Sequence, residues 1–557
     1  MISRKLLSGV LAAAILCSSF MTSFAQDTVT SGGSQTSTTV SVEGEEKTAI
    51  SSTDAAALKS LETLVPLRFI CESQGATVGW DAKTWSSKIV KEDKSLEVTI
   101  GSKQAKVNGK TETLNSAVTT KDGRMLVPIA LINKALGIKL TPETCSEILG
   151  TKFVELLQTG TYSDCKAMAN DSFNALGDTA LKQLAMGYAS MGALTKNTVS
   201  TKSNAVHINS AIGYSLANGQ PIEIIVRFDY NLKVDDIYLK ALDGAPAYVT
   251  PSYDNKSGYT ERQVVFGEKG WEIPGTLTIP NGKGPFPVVV LVHGSGPNDQ
   301  DESLGSLKAF KDLAVGLASQ NIAVLRYEKR TYEHNLKIAF QPNLTVMEET
   351  VNDALYAADF VSKLPEIDAK QVFVLGHSQG ALLLPRIMAN DKHDVIKGGI
   401  IASANSNFLG DVMLDQYAYL MKLGLATQQQ YDSIKAQIDM IKSDEFTAQK
   451  QPQGYAMGDV AWWADLKSYN PVATAKTITK PLLVMQGKRD YQVTADKEYK
   501  GWQDGLAGMT NVSFKLYDRL NHMYTEGEGE LSTPMEYYSP ANIPEYVIKD
   551  IAQWIAR

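Results

Sequence analysis

The spacing of apolar residues separates the chain into a C-terminal part with one rhythm and an N-terminal part with another. From about residue 258 onward, short unbroken apolar runs alternate with amphipathic stretches. Residues 264–266 and 273–279 read as an opening hairpin, and 288–292 (Val-Val-Val-Leu-Val) as a strand buried on both faces. Residues 306–319 carry apolar side chains at helical spacing, 322–327 form the next strand, and 346–364 a long helix. Strands follow at 372–375, 399–402, 482–485 and 512–516, and a helix at 545–555 closes the series. This alternation predicts an α/β fold built on a doubly wound, mostly parallel sheet. Between Ala404 and Pro481 the strands stop: a helical run at 409–443 precedes the aromatic residues Trp462, Trp463 and Tyr469. An insertion there, about 405–475, predicts a helical cap over the carboxyl ends of the strands, where sites of such folds lie. Those aromatics are candidates for lining a substrate pocket or for packing the cap onto the body.

Two small α+β domains are predicted upstream. Residues 54–141 contain a weak repeat: Leu64-Val65-Pro66-Leu67-Arg68-Phe69-Ile70 returns as Leu126-Val127-Pro128-Ile129-Ala130-Leu131-Ile132, with strand-like segments at 96–100 and 105–110 between. Residues 143–242 read as helices at 144–177 and 179–194, then strands at 205–208, 221–230 and 233–239, a cone-like module. His207 falls in a strand pattern with no nucleophile motif near it, and reads as a surface or hydrogen-bonded core histidine.

The first 25 residues have the pattern of a secretory signal: Arg4 and Lys5, an apolar core at 6–17, then Ser23-Phe24-Ala25 with cleavage after Ala25. The apolar run is too short for a bilayer span. Cys17 is a competing lipid-anchor position, disfavoured by the bulky Leu16 before it. Residues 26–53 are Ser/Thr/Gly-rich and form a flexible linker. Secretion or a cell-surface location follows, with association to the envelope through the N-terminal domains as an option and no integral membrane segment after cleavage.

A chain of 557 residues exceeds a single core. Removing the signal, with Arg4 and Lys5, takes the formal charge from -7 to -9, which gives no electrostatic reason to bind nucleic acid or an anionic membrane. Cys71, Cys145 and Cys165 then remain, too few and too odd for a disulfide framework. They read as three buried thiols, with a Cys145–Cys165 bridge as the alternative. Without CxxC or paired His/Cys spacing no metal site is indicated, and no cofactor is implied.

Chemistry concentrates at Gly376-His377-Ser378-Gln379-Gly380, which follows an apolar strand and precedes a helical pattern. That is the context of a nucleophilic serine on a sharp strand-to-helix turn. The pentapeptide alone would arise by chance roughly one time in five in a chain of this composition. Its partners decide the matter. A serine hydroxyl needs a base, and the base an acid that fixes its tautomer. Of the two histidines downstream, His393 sits in a polar turn after the nucleophile helix, whereas His522 follows the last strand. Asp490 stands at the tip of the strand at 482–485; its competitor Asp496 already lies in the next helical pattern. Ser378, Asp490 and His522 are therefore the candidate triad. Two backbone N–H donors must face the oxyanion. Gln379, first in the following helix, supplies one; Ser295, in the loop His293-Gly294-Ser295-Gly296-Pro297, supplies the other, with Gly296 as the alternative. His293 and His377 are read as shaping these turns.

Residues 258–557 resemble secreted α/β-hydrolases of the dienelactone-hydrolase and acyl-esterase group, on the motifs His293-Gly294-Ser295-Gly296-Pro297-Asn298-Asp299, Gly376–Gly380, Gly487-Lys488-Arg489-Asp490-Tyr491-Gln492-Val493 and Leu520-Asn521-His522. Dienelactone hydrolases use a cysteine where this chain has Ser378, so the resemblance implies a small-molecule ester substrate rather than a lactone. A serine peptidase or amidase on the same fold is the enzymatic alternative, though neither a propeller nor an amine-binding pattern is visible. A non-catalytic surface-binding protein is the alternative of another class, and it predicts a broken triad. Residues 54–141 resemble the stalk-like domain named after the N-terminus of copper amine oxidases, on Val65-Pro66-Leu67-Arg68-Phe69, Gly75-Ala76-Thr77-Val78 with Trp80-Asp81, and Lys106-Val107-Asn108-Gly109-Lys110. The stretch contains no histidine and implies no copper. Residues 143–242 resemble an uncharacterised module found before secreted α/β-hydrolases.

Overall fold

The computed structural model describes residues 61–121 and 123–557. The signal segment with Cys17, the linker at 26–53 and the first residues of the first small domain lie outside the described residues. Contacts divide the described chain into two compact units that meet in sequence at Leu242 and Asp243.

In the N-terminal unit the repeat is paired with itself. Leu64–Pro66 and Arg124–Pro128 run antiparallel, with Val65 opposite Val127, and each leads into a short helix, Leu67–Ser73 and Ile129–Leu136. Proline at each junction lacks an N–H and sets φ for the turn into the helix. Five antiparallel strands between Thr77 and Thr113 lie between the two copies. The predicted helix at 144–177 is three helices, Pro142–Gln158, Tyr162–Met168 and Asp171–Asn174. Gly160 at φ 71° ends the first and the Asn170 side chain caps the third through the Phe173 N–H, so local turn chemistry overrides the apolar period. A helix at Gly177–Ser190 follows. The four-stranded meander runs Thr195–Ser203, Ile208–Ser215, Pro221–Phe228, Val234–Ala241.

The predicted strand at 205–208 is instead a turn: Asn204 Oδ1 accepts from the N–H groups of Val206 and His207. Its polar neighbour Thr195–Ser203, exposed along most of its length, is the strand that the apolar pattern could not signal. His207 is buried with Nε2 2.8 Å from Asp235 Oδ2, a satisfied core histidine. Cys71, Cys145 and Cys165 are free and buried, which removes the Cys145–Cys165 bridge.

The C-terminal unit holds an eight-stranded sheet. Its strands are β1 (Tyr259–Glu268), β2 (Trp271–Pro280), β3 (Phe286–Val292), β4 (Ala323–Tyr327), β5 (Ile367–His377), β6 (Ile396–Ala402), β7 (Leu482–Gly487) and β8 (Val512–Tyr517). Their spatial order is β1-β2-β4-β3-β5-β6-β7-β8. The first two form the expected hairpin, β2 meets β4 antiparallel, and every later pair is parallel. Along β3, Val288, Val290 and Val292 face one core and Val289 and Leu291 the other. Both faces are covered, which is why this strand reads as an unbroken apolar run. The first core receives helix α2 (Asn352–Ser362) and helix α3 (Gln379–Ala389); the second receives helix α1 (Ala309–Ala318) and Glu545–Ile555. The segment at 346–364 is not one α-helix: a π-helical turn, Met347–Val351, precedes α2. The insertion after β6 is helical, as predicted, but the run at 409–443 breaks into Leu409–Lys422 and Gln428–Lys442. Gly424 at φ 69° and the Thr427–Gln430 capping box impose the break. A third cap helix, Val460–Ser468, leads back to β7.

Candidate active site

Ser378 sits between β5 and α3 at φ 53°, ψ -114°, a conformation that costs on the order of 1–3 kcal/mol for a residue with a Cβ. Its flanking glycines are required by space. A Cβ on Gly376 would lie 2.3 Å from the Gly380 carbonyl oxygen, and one on Gly380 2.3 Å from the Val292 carbonyl oxygen. The turn is thus pressed against the end of β3, and the loop beyond β3 reaches the serine: a Cβ on Gly294 would stand 3.2 Å from the Ser378 Cβ. The Gln379 N–H opens α3, where no intrahelical acceptor exists for it.

Asp490 and His522 are brought together. Asp490 lies just beyond β7, fully buried, and its Oδ2 is 2.7 Å from His522 Nδ1. The same oxygen accepts from Gln486 Nε2 at 2.9 Å, and Oδ1 accepts from the N–H groups of Gln492 and Val493 at 2.8 and 2.9 Å. Four donors thus surround the carboxylate. The contact with Oδ2 fits the His522 tautomer with hydrogen on Nδ1, in which the Nε2 lone pair is free. Gly487 permits the approach of the two loops, since a Cβ there would be 2.4 Å from the Leu520 carbonyl oxygen. Asn521 Oδ1 braces the histidine loop through the Met523 and Thr525 N–H groups. Asp496 is exposed in the π-helix Ala495–Tyr499, the helical position read for it, and His393 is exposed beside Asp359 at 3.4 Å, both away from this cluster.

Beneath the serine lies a buried group that sequence reasoning described only in part. His377 Nε2 donates to the His522 carbonyl at 2.9 Å, and its Nδ1 is 3.0 Å from Glu302 Oε2. Glu302 Oε1 accepts the Gly294 N–H at 2.6 Å. One carboxylate thereby ties the donor loop to the nucleophile turn, and His377 ties that turn to the base loop. Burial pushes the His377 imidazolium down, but the Glu302 carboxylate beside it outweighs this and holds it above its ordinary value. Burial pushes Glu302 up, and His377 with the Gly294 N–H holds it below the usual carboxylate range. His293 differs: its Nε2 reaches only the Asp299 carbonyl at 3.1 Å, and burial among Phe310 and Tyr327 outweighs the nearby Glu302 carboxylate and lowers it to about 4.

The loop Gly294–Gly296 is held by its carbonyls. Asn298 Nδ2 reaches all three, at 3.1, 3.1 and 3.3 Å, and Lys329 Nζ donates to the Gly294 carbonyl at 2.7 Å. Lys329 follows β4, is buried, and pairs with Glu349 Oε1 at 2.8 Å. Glu349, in the π-helical turn, accepts from Gln379 Nε2 at 3.1 Å and from the indole N–H of Trp462. Burial raises Glu349, and Lys329 outweighs it, leaving the carboxylate below its usual range. Neither Lys329 nor Glu349 was among the sequence candidates. Each is a charged residue at the carboxyl end of the sheet, Lys329 two residues past an apolar strand, and that position was the available signal.

The three cap aromatics separate. Trp463 is buried in the cap's own core with Phe446, Tyr455 and Ile441, its N–H donated to the Met457 carbonyl at 2.6 Å. Tyr469 packs the return of the cap onto α3, hydrogen-bonding the Leu382 carbonyl at 3.1 Å under the Arg386 guanidinium. Trp462 alone reaches the polar group beside the donor loop.

Residues 289–530 match the model of the alpha/beta hydrolase family, and residues 42–147 that of the copper amine oxidase N-terminal domain. Over 337 residues the chain is 38% identical to the esterase EstD of Thermotoga maritima, spanning 60% of this chain and 77% of that protein. Among solved structures, the Pyrococcus furiosus esterase Pf2001 aligns with a TM-score of 0.37 at 17% identity, over 56% of this chain and 97% of its own. Est1E of Butyrivibrio proteoclasticus aligns with a TM-score of 0.34 at 15% identity, over 53% and 99%.

Proposed function

Because this chain belongs to the alpha/beta hydrolase family, with a copper amine oxidase N-terminal domain ahead of the catalytic unit, we propose that it is a secreted serine esterase that cleaves small-molecule carboxylic esters through an acyl-enzyme. The observation that carries this reading is the buried Asp490–His522 hydrogen bond, tied through the contact of His377 Nε2 with the His522 carbonyl to the strained strand-to-helix turn that holds Ser378. Ser378 Oγ attacks the ester carbonyl carbon while His522 Nε2 takes its proton. The carbonyl π electrons move onto oxygen, and the N–H groups of Ser295 and Gln379 stabilise the oxyanion. As the tetrahedral intermediate collapses, the alcohol departs with the proton from His522. Water then attacks the acyl-Ser378 ester, His522 again taking and returning a proton, and the carboxylic acid is released.

Hydrolysis of p-nitrophenyl esters tests the reading. Ser378→Ala is expected to lower kcat on the order of 10⁶-fold, and an organophosphonate to label Ser378 covalently. Undiminished turnover by the variant would overturn it. A panel of acyl esters against aminoacyl amides distinguishes esterase from amidase. Secretion is supported by Arg4, Lys5, the apolar stretch at 6–17 and Ser23-Phe24-Ala25, and N-terminal sequencing of the exported protein is expected to begin at Gln26.

A further inference from the structure

We propose that Lys329 is a positioning residue for oxyanion stabilisation, acting through the single peptide group that joins Gly294 to Ser295. The inference rests on the reading of Ser378 as the nucleophile. The peptide is trans, so its carbonyl and its N–H point in opposite directions. Its carbonyl accepts from Lys329 Nζ at 2.7 Å and from Asn298 Nδ2 at 3.1 Å. The Ser295 N–H of the same peptide is therefore turned away from Lys329. No acceptor for it is found among the described residues. The loop itself lies against the nucleophile, as the 3.2 Å approach between an added Gly294 Cβ and the Ser378 Cβ records.

Two effects follow from the ammonium. It fixes which way the peptide faces: a flip would direct a carbonyl oxygen at the developing oxyanion and turn the N–H into the protein. It also draws electron density toward the carbonyl oxygen, which makes the N–H of the same amide a stronger donor. Long-range charge is not the agent. Glu349 Oε1 is 2.8 Å from Lys329 Nζ, so the buried pair is nearly neutral from the serine's side. What the pair supplies is direction. Glu349 is itself held by Gln379, whose N–H is the second oxyanion donor, and by Trp462 of the cap. Both donors of the oxyanion site are thus braced by one buried ion pair.

Removing Lys329 alone would strand Glu349 as an unpaired buried charge and can unfold the protein. The test therefore uses Lys329→Met combined with Glu349→Gln, which removes both charges and keeps polar atoms for Gln379 and Trp462. Against a p-nitrophenyl ester, kcat is expected to fall about 100-fold while KM changes less than about threefold, the signature of a lost transition-state donor. The inhibition constant of a trifluoromethyl ketone, whose adduct with Ser378 carries the same oxyanion, is expected to rise by the same factor. Asn298→Leu, at a half-exposed loop position, is the second variant: it removes the other donor to the Gly294 carbonyl and is expected to lower kcat about tenfold with the same parallel rise. Wild-type kcat and ketone affinity in a folded double variant would overturn the proposal, as would a fall in kcat with ketone affinity unchanged. Ser378→Ala serves as the control: its inactivity keeps the serine reading intact when the lysine proposal fails, and its full activity would sink the reading itself.

Discussion

Asp490 Oδ2 stands 2.7 Å from His522 Nδ1, inside a ring of three further donors and out of contact with solvent. In the proposed triad the carboxylate's task is to hold one tautomer of the imidazole. Asp490→Asn keeps the shape and offers an N–H where an acceptor is needed, so the base loses its free Nε2 lone pair. A loss of about 10⁴-fold in kcat for p-nitrophenyl ester hydrolysis is expected, with unchanged far-UV circular dichroism. Loss below tenfold would mean that another group orients His522.

The nucleophile turn tolerates no side chain at Gly380. A Cβ would meet two backbone oxygens, those of Val292 and His293, at 2.3 and 2.7 Å, and neither can rotate aside. Gly380→Ala is expected to destabilise the C-terminal unit by more than about 4 kcal/mol and to yield little soluble enzyme. Gly508→Ala is the comparison: its φ of +82° is strained for alanine but its surroundings are empty, so about 1 kcal/mol is expected. Thermal unfolding of the two variants distinguishes steric collision from backbone strain.

His293 makes the fold sensitive to acid. Its folded value, about 4, lies below the unfolded value of about 6.5, so between these limits the unfolded chain binds the extra proton. Its contribution to stability is complete above pH 6.5, declines as pH falls, and reaches its full loss below about pH 4. The total is about 3 kcal/mol. Urea unfolding at pH 7 and pH 4.5 is expected to show a smaller difference for His293→Phe than for the wild type. His377 runs the other way, since its raised folded value adds stability at low pH that is lost as pH rises above the ordinary histidine range. The two must be separated by variant, not by the bare pH profile.

Trp463 and Trp462 are adjacent in sequence and have different work. Trp463→Ala empties the core of the cap, a change that costs about 3–5 kcal/mol in a well-packed site. Faster proteolysis between 443 and 459 is the expected result, with the sheet surviving as a resistant fragment. Trp462→Phe keeps the packing and removes only the indole N–H given to Glu349, so it is expected to leave proteolysis unchanged and to lower kcat less than about tenfold.

The sheet was readable because its central strands are covered on both faces. Val288–Val292 is apolar at every position for that reason, and so the strand order of the triad loops could be followed along the chain. Glycine placement made the turns readable too, at Gly376, Gly380 and Gly487, where backbone meets backbone. Polar strands were not readable. Thr195–Ser203 is held in its sheet by backbone pairing and exposes most of its side chains, so its residues carry no apolar alternation. Helix ends were overrun wherever a capping side chain, such as Thr427 or Asn170, interrupts an apolar period that itself continues. Glu302, Lys329 and Glu349 escaped because ion pairs join residues 20 to 75 positions apart, and charge at one position says nothing about its partner at another.

Each of Cys71, Cys145 and Cys165 is buried, and burial pushes each thiol up to about 12. All three belong to the N-terminal unit, and the segment 243–557 contains no cysteine. Once the segment that carries Cys17 is cleaved off, a thiol-alkylating reagent is expected to stay silent while that unit is closed and to report only its opening, whereas ester turnover reports on the other unit. The molecule carries two native, non-overlapping reporters, so the unfolding of either half can be timed in the intact protein without an added label.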